Sequence, residues 1–329
     1  MMKSFNYSLF AILALLLTTY FGIFPAHADG YKLSFIKRFY SIGTASINGT
    51  YYPVGNAIAR TLSQHFKDRI FIAEPTAGSV ANIDYLKNGR IDFALVQSDV
   101  AWQAARGKGL FENNRFPELR VMASLYSEVI QIVVKKDRGI KTIRDLKGCK
   151  ISAGSKDSGS AVNVVQVLGA AGLKENDYEL VYERFTKATE SLRDGYVDAV
   201  YYTGGIPADG IARLAAKTDI VLLEVPEDVK SALIKDYPFF SAEIIPGNSY
   251  AGQTEKVSTI GLRALLVTTD MQSDDLVNKM LETVYGRSGS SGRRIYSEMI
   301  NFNRQDSLKG FDVEMLHPGA KRFFGLARQ

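Results

Sequence analysis

The stretch Leu-Lys-Asn-Gly-Arg-Ile-Asp-Phe-Ala occupies residues 86–94, and a similar stretch, Leu-Arg-Asp-Gly-Tyr-Val-Asp-Ala-Val, occupies residues 192–200. In both, a glycine stands where a preceding helix would end, because glycine readily adopts the left-handed conformation that closes helices. In both, an aspartate then opens a short apolar run of the kind found in buried strands. One helix–turn–strand unit is therefore predicted to occur twice in the chain.

A second repeated pattern precedes each of these units. Gly43-Thr44 followed by Gly49-Thr50 is matched by Gly154-Ser155 followed by Gly159-Ser160, with one residue fewer inside the second copy. Both patterns recur in the same order at nearly the same spacing, which predicts two lobes of similar build. Lobe I is predicted to comprise residues 29–135 with 246–329, and lobe II residues 136–245.

Short apolar runs alternate with helical periodicity through both lobes. Ser79 is predicted to cap a helix that runs through Lys87. Two separate strands are predicted at Leu119–Leu125 and Val129–Val134, and Val54, Ile58, Leu62 and Phe66 fall on one face of an earlier helix. This alternation of strands and helices predicts an α/β fold with a mostly parallel sheet covered by helices.

The first residues have the layout of a secretory signal peptide. Lys3 supplies a positive start, Leu9–Ile23 is an almost unbroken apolar run, and Ala26-His27-Ala28 has small residues at the cleavage positions. The run is short for a membrane span, which needs about 20 apolar residues. We expect cleavage after Ala28 and a periplasmic mature protein, with a retained single-span anchor as the alternative.

Composition and charge exclude several classes of protein. Hydrophobic residues make up 46% and charged residues 23% of the 329 residues, which is ordinary for a globular protein and excludes disorder. The net charge of +5 comes from scattered Lys and Arg. No basic run suggests a nucleic-acid partner. The single cysteine, Cys149, can form neither an internal disulfide nor a cysteine zinc site.

Catalytic patterns are absent from the sequence, so no catalytic residue, metal or cofactor is expected. The three histidines lack metal-binding spacing, and no nucleophile elbow of the Gly-x-Ser-x-Gly type occurs. Residues 154–160 space two glycines as a phosphate-binding loop does, but Ser160 stands where that loop requires lysine. Asp92 and Asp198, at equivalent places in the two lobes, are expected to be structural.

Five loops are predicted to lie at the carboxyl ends of strands, where α/β proteins carry their functional residues. Several lead directly into helices, whose N-termini offer free N–H groups and a partial positive charge to carboxylates or phosphates. The loops are rich in Gly, Ser, Thr, Gln, Asn and Tyr, which favours a ligand cradle over a reaction centre. They are residues 43–50, 74–79, 97–99, 154–160 and 203–207.

Five motifs, in order along the chain, resemble the TAXI-type solute-binding proteins of TRAP transporters. Each motif is weak alone, but together they extend over nearly all of the predicted mature chain. They are Ile42–Ala45 with Gly49–Gly55, Thr76–Ile83 with Asp92–Asp99, Leu125–Glu128 with Asp145–Gly148, Ile245-Pro246 with Tyr250, and His317–Ala320.

The resemblance implies a type II periplasmic-binding fold, in which a small organic anion binds in a cleft between two similar α/β lobes. Glutamate, 2-oxoglutarate or a similar dicarboxylate or amino acid would be delivered to the TRAP membrane subunits. The ligand-binding residues that the resemblance implies are Thr44, Thr50, Tyr51, Gly78, Ser79, Gln97, Ser98, Tyr126, Ser155, Ser160, Thr203 and Gly204, with Tyr52 and Asp99 as further members.

Binding is expected to close the lobes about a hinge at Glu128–Val134 and Pro246–Thr259. Lys156 could add a positive charge for a ligand carboxylate. Two alternatives stay open at this point: an exported enzyme that reuses the two-lobe fold, and a surface antigen or adhesin without a transport role.

Overall fold

One mixed sheet organises residues 39–286 and 306–326, which are the residues that this computed structural model describes. The strands are β1 (Phe39–Gly43), β2 (Ile70–Glu74), β3 (Phe93–Gln97), β4 (Leu119–Lys135), β5 (Lys150–Ser152), β6 (Glu179–Val181), β7 (Ala199–Gly204), β8 (Ile220–Leu223), β9 (Ser241–Ile245) and β10 (Val257–Thr269). The predicted signal peptide with its cleavage site lies outside the described residues.

Helices cover this sheet. They are α1 (Tyr51–His65), α2 (Ser79–Lys87), α3 (Ser98–Arg106), α4 (Gly159–Ala170), α5 (Phe185–Arg193), α6 (Asp209–Ala215), α7 (Glu227–Asp236), α8 (Asp274–Tyr285) and α9 (Pro318–Phe324). Within the described ranges, none of them combines the length and the apolar character that a membrane crossing requires.

The two halves of the sheet have equivalent strand orders, counted from each edge towards the centre. From one edge it runs β2-β1-β3-β10, and from the other edge β6-β5-β7-β4, with β10 and β4 paired in the middle. The outer three strands of each half are parallel, whereas the inner strand is antiparallel to its neighbour. The sheet is therefore mixed, and the prediction of a mostly parallel sheet was wrong. The long central strands β4 and β10 run against their neighbours.

Strand β4 is continuous, although the sequence predicts two strands there. Tyr126, Ser127 and Glu128 interrupt the apolar pattern, yet they pair with β10 at Ala264, Arg263 and Leu262. A register shift between Ala264 and Leu265 marks a β-bulge beside this polar stretch. The pairing partner lies far away in the sequence, so the local pattern alone could not reveal that the strand continues.

The hydrophobic core is divided among three clusters. The first joins β1–β3, α1, α8 and α9 to the first part of β4, and the other two lie around β5, β7, α4 and α5. Strand β4 contributes Leu119 and Val121 to the first cluster but Ile130 and Ile132 to the second. Strand β4 therefore passes from the first core cluster to the second along its length. The boundaries of the two lobes remain a prediction.

The repeated aspartates have equivalent structural roles in the two copies. The Asp92 carboxylate accepts a hydrogen bond from the backbone N–H of Ser41 at 2.9 Å. The Asp198 carboxylate accepts one from the backbone N–H of Lys150, also at 2.9 Å. Each therefore ties the third strand of its copy to the first, which confirms the structural role predicted for both.

Candidate ligand-binding cavity

A cavity of about 70 Å³, partly open to solvent, lies between loops of lobe I and lobe II. All five loops predicted to carry function contribute residues to it. Lobe I lines the cavity with Ala45, Ser46, Gly49, Thr50, Tyr51, Ala77, Gly78, Ser79, Gln97 and Glu128. Lobe II lines it with Gly154, Ser155, Ser158, Gly159, Ser160, Phe185, Ala188, Tyr201, Tyr202 and Thr203.

Helix N-termini from both lobes meet at this cavity. Helices α1, α2 and α4 each begin at a residue that lines it, and none of the three has an acidic residue in its first turn. Their partial positive charges are therefore not neutralised locally by carboxylates. Such an arrangement suits a negatively charged group on a small ligand.

Glycines allow the backbones of the two lobes to approach closely here. Gly78 is the N-cap of α2, at φ 126°, and a Cβ atom there would lie 3.1 Å from Ser158 Cα. The helix therefore begins at Ser79 itself, one residue earlier than a Ser79 cap would imply. The Ser79 hydroxyl instead accepts a hydrogen bond from the backbone N–H of Gln97 at 3.1 Å. Opposite, a Cβ atom on Gly159 would collide with the Gln97 side chain.

Hydrogen bonds between the lobes hold them together around the cavity. The Tyr202 hydroxyl accepts from the Thr50 backbone N–H and pairs with the Thr50 hydroxyl, both at 3.2 Å. The carbonyl of Asp157 accepts from the backbone N–H groups of Val80 and Ala81, at 3.1 Å each. Asn48 donates from its amide to the Thr186 hydroxyl at 2.6 Å. These bonds connect the two sides of the cavity.

Glu128 is the charged side chain of the cavity wall. It is only 2% exposed, and its carboxylate accepts a hydrogen bond from the Tyr51 hydroxyl at 2.8 Å. Burial raises the pKa of Glu128 to about 8, because desolvation disfavours the charged form. Burial and the neighbouring Glu128 also raise the pKa of Tyr51 far above its ordinary value.

A second buried carboxylate joins the lobes behind the cavity. Asp99, in the first turn of α3, is fully buried and accepts a hydrogen bond from the side-chain amide of Asn163 on α4 at 2.6 Å. Burial raises the pKa of Asp99 to about 7. This contact couples the protonation of a lobe I carboxylate to the packing of a lobe II helix.

Eight of the ligand-binding residues implied by the resemblance line the cavity together. They are Thr50, Tyr51, Gly78, Ser79, Gln97, Ser155, Ser160 and Thr203. Their contact with a ligand stays a prediction. Ser160 and Thr203 also contact each other within the wall. The Ser160 hydroxyl accepts a hydrogen bond from the Thr203 backbone N–H at 3.0 Å.

The other six do not line the cavity and have other neighbours. Thr44 donates from its hydroxyl to the Glu74 carbonyl, and the Ser98 hydroxyl accepts from the Arg263 backbone N–H. Tyr126 is buried in the first core cluster, and Gly204 pairs with Val129 in the sheet. Tyr52 is partly exposed on α1, and Asp99 has the buried position given above.

Sequence reasoning missed Glu128 and three aromatic residues of the wall. Phe185 and Tyr202 stack with their ring centroids 4.0 Å apart, and Tyr201 is next to them in β7. The repeat could have identified Phe185, because it begins α5 as Ser79 begins α2. Glu128 gave no such indication, since it lies where the sequence predicted a break between two strands.

Further sequence expectations concern residues outside the cavity wall. Lys156 and His65 are exposed. His317 is buried, and its ring nitrogen accepts from the Gly319 backbone N–H at the start of α9. Trp102 packs against Phe239, with ring centroids 6.1 Å apart. Within the described residues, no cluster of histidine, cysteine and acidic side chains could hold a metal ion.

The sequence matches a family model over almost the whole described range. The model is that of the NMT1-like family, and the match covers residues 42–325. It therefore includes every element from β1 to α9 that lines or supports the cavity.

Solved structures of similar fold include components of transport systems. A binding-protein component of an ABC phosphonate transporter from Pseudomonas aeruginosa has a TM-score of 0.53 and 12% identity, covering 82% of this chain and 84% of that one. A putative L-cystine ABC transporter protein from Listeria monocytogenes has a TM-score of 0.51 and 13% identity, covering 80% and 95%.

A third similar structure is XAC2383 from Xanthomonas citri bound to ATP. Its TM-score is 0.52 at 8% identity, covering 89% of this chain and all of that one (100%). At these identities the likeness concerns the fold alone. It confirms the α/β fold of periplasmic binding proteins that the sequence resemblance implies.

Proposed function

We propose that this chain, which belongs to the NMT1-like family, is the solute-binding receptor of a membrane transporter and captures a small organic anion in the cavity between its lobes. The observation that carries this proposal is the convergence of three helix N-termini on one cavity with walls from both lobes. An exported, periplasmic location follows from the proposed signal peptide.

The chemistry of the wall supports an anion as the ligand. The starts of α1 and α4 offer backbone N–H groups and partial positive charge to a carboxylate. The start of α2 adds partial positive charge, although its Val80 and Ala81 N–H groups already donate to the Asp157 carbonyl. Serine and threonine hydroxyls on both sides, such as Thr50 and Ser155, can add neutral hydrogen bonds. No lysine, arginine or histidine lines the cavity in the described part of the chain.

The contacts between the lobes support capture by closure. A solute in the cavity would contact lobe I and lobe II at the same time, and only the closed arrangement offers both sets of contacts. This difference in affinity would shift the population towards the closed state. The hinge would lie in β4 at Glu128–Val134 and in Pro246–Thr259, because these segments connect the two lobes.

For the transporter, we propose TRAP membrane subunits of the TAXI type, on the strength of the sequence motifs. Glutamate, 2-oxoglutarate and related acids are the proposed solutes. Uptake into vesicles that contain the membrane subunits and the added receptor tests the transporter type. We expect uptake to require an ion gradient and to proceed without ATP. A requirement for ATP would contradict the TRAP assignment.

Thermal unfolding of the mature protein tests the receptor function. Protein from Asp29 onward is unfolded, freed of bound solute and refolded, and then melted with glutamate, glutamine, 2-oxoglutarate, succinate and neutral sugars. A ligand at a hundred times its dissociation constant stabilises by about 2.7 kcal/mol, and we expect a rise of several degrees with a small acid only. The absence of a shift with every acid would favour a surface antigen or an enzyme.

A further inference from the structure

Glu128 gives the cavity a buried carboxyl group that has no cationic partner in the described part of the chain. It is the only charged side chain among the described residues that line the cavity, and it is almost completely buried. Within the described part of the chain, no cationic side chain forms an ion pair with it. A buried charge without a counter-ion is costly, so proteins usually pair such groups.

The guanidinium group of Arg263, which attracts Glu128, has other hydrogen-bond partners. Arg263 donates from Nε to the Ser124 hydroxyl at 2.8 Å and from a terminal nitrogen to the Ser127 hydroxyl at 3.1 Å. It acts on Glu128 only through longer-range attraction. Residues 39–286 and 306–326 therefore supply no cation to compensate Glu128 inside the cavity.

Gln97 adds a second acceptor beside this carboxylate. Gln97 lowers the pKa of Glu128, against the larger effect of burial, and both residues line the cavity. The Gln97 carbonyl Oε1 is buried and has no hydrogen-bond partner among the described residues. The Gln97 residue as a whole is 3% exposed and lines the cavity.

We propose that the solute is an α-amino acid, that its ammonium group binds the Glu128 carboxylate and Gln97 Oε1, and that its carboxylate faces the helix N-termini. This inference rests on the proposed receptor function and narrows its solute class. An ammonium group carries up to three donors and one positive charge, which matches two adjacent acceptors and one uncompensated negative charge. The bound ammonium group then balances the charge of Glu128, and the solute carboxylate lies against the partial positive charge of the helix N-termini.

In the opposite arrangement, Glu128 is protonated and donates a hydrogen bond to a carboxylate of a dicarboxylate or of a 2-oxo acid. The contacts of Glu128 disfavour it. Tyr51 already donates to Glu128, and this hydrogen bond favours the charged form against the larger effect of burial. Gln97 Oε1 would face the incoming carboxylate as a second acceptor, and two acceptors repel each other.

The two arrangements respond to pH in opposite directions. Glu128 is faced by Tyr51 from α1, Asp99 from α3, Arg263 from β10 and Tyr202 from β7. Burial raises its pKa, and a bound ammonium group would lower it again. Amino-acid binding at pH 7 should therefore release a proton and become tighter up to about pH 8. Binding of a dicarboxylate through protonated Glu128 should become weaker over the same range.

Calorimetric titration with matched solutes tests the proposal. Each amino acid is compared with the 2-oxo acid of the same skeleton: glutamate with 2-oxoglutarate, aspartate with oxaloacetate, alanine with pyruvate, and leucine with its 2-oxo acid. In the pair that binds, we expect the amino acid to bind at least tenfold more tightly. Titrations in buffers of different ionisation enthalpy should show proton release on binding.

Glu128→Gln keeps the shape of the side chain and removes its charge. We expect it to weaken amino-acid binding tenfold or more and to leave the affinity for the matched 2-oxo acid unchanged or higher. Glu224→Gln, at an exposed position outside the cavity wall, is the matched control and should change neither affinity.

The outcomes separate this inference from the receptor function. Preference of the unmodified protein for a 2-oxo acid, or proton uptake on binding, overturns the ammonium assignment while the receptor function stands. An equal loss for both members of a pair in Glu128→Gln also overturns it. Failure of every acid to bind refolded protein overturns both proposals.

Discussion

Helix α2 of lobe I begins at Ser79, whereas the equivalent helix α5 of lobe II begins at the aromatic residue Phe185. The same contrast extends along the wall. Lobe I contributes Gln97 and the buried Glu128, and lobe II contributes Tyr202 and a series of small hydroxyl-bearing residues. The backbone architecture is repeated, but the side chains divide the chemistry. Lobe I supplies the charge, and lobe II supplies an aromatic face and neutral hydrogen bonds.

Two glycines of α4 give the strongest test of how closely the lobes must approach. Gly159→Ala should weaken solute binding by roughly tenfold to a hundredfold, because overpacking a tight site costs about 1–3 kcal/mol. The added methyl group would collide with Gln97 across the cavity. Gly169→Ala is the control in the same helix, where a Cβ atom has no neighbour within 4 Å. Unchanged calorimetric affinity in Gly159→Ala would contradict this closed geometry.

Gln97 and Ser160 compare the charged wall with the neutral wall directly. Gln97→Ala should weaken binding by roughly tenfold to a hundredfold, because a hydrogen bond to a charged group contributes about 1.5–3 kcal/mol. Ser160→Ala should weaken it by roughly twofold to tenfold, as expected for a neutral bond. Dissociation constants of the two variants test the comparison, and a larger loss in Ser160→Ala would reverse the division of roles.

Tyr202 tests closure without changing the aromatic face. Tyr202→Phe keeps the stacking on Phe185 but removes the hydroxyl that pairs with Thr50. Affinity should fall by roughly fivefold, since a neutral hydrogen bond contributes about 1 kcal/mol. Small-angle scattering of the solute-free variant should show a larger radius of gyration. An unchanged radius and affinity would mean that these bonds do not hold the lobes closed.

Asp99 tests whether the buried contact between the lobes depends on pH. Its pKa in the folded protein is raised from 3.8 to about 7, so the folded state binds a proton more tightly than the unfolded state. The contribution of Asp99 to stability should therefore be greatest below about pH 4, fall as the pH rises from 4 to 7, and level off above that range. Each pKa unit is worth roughly 1.4 kcal/mol.

Thermal unfolding of solute-free protein between pH 4 and pH 9 measures this dependence. Asp99→Asn should flatten the curve, although part of the slope remains because the raised pKa of Glu128 acts in the same direction. Asp157→Asn, at an exposed position, is the control and should leave the slope unchanged. A variant curve parallel to that of the unmodified protein would rule out Asp99 as the titrating group.

Local patterns in the sequence determined the repeat and the position of the loops. Helix periodicity, glycine stops and apolar runs act over a few residues, so the units at residues 86–94 and 192–200 could be recognised from them. The equivalent aspartates Asp92 and Asp198 followed from the same repeat. Because the outer three strands of each half are parallel, the loops after them meet at one edge, and all five predicted loops reach the cavity.

Only the tertiary structure decided which polar groups became buried and which contacts cross between the lobes. Glu128 receives its hydrogen bond from Tyr51, 77 positions earlier, and Thr50 meets Tyr202, 152 positions later. The continuity of β4 likewise depends on pairing with the distant β10. Such contacts leave no local pattern, because desolvation and hydrogen bonding depend on the neighbours that folding brings together.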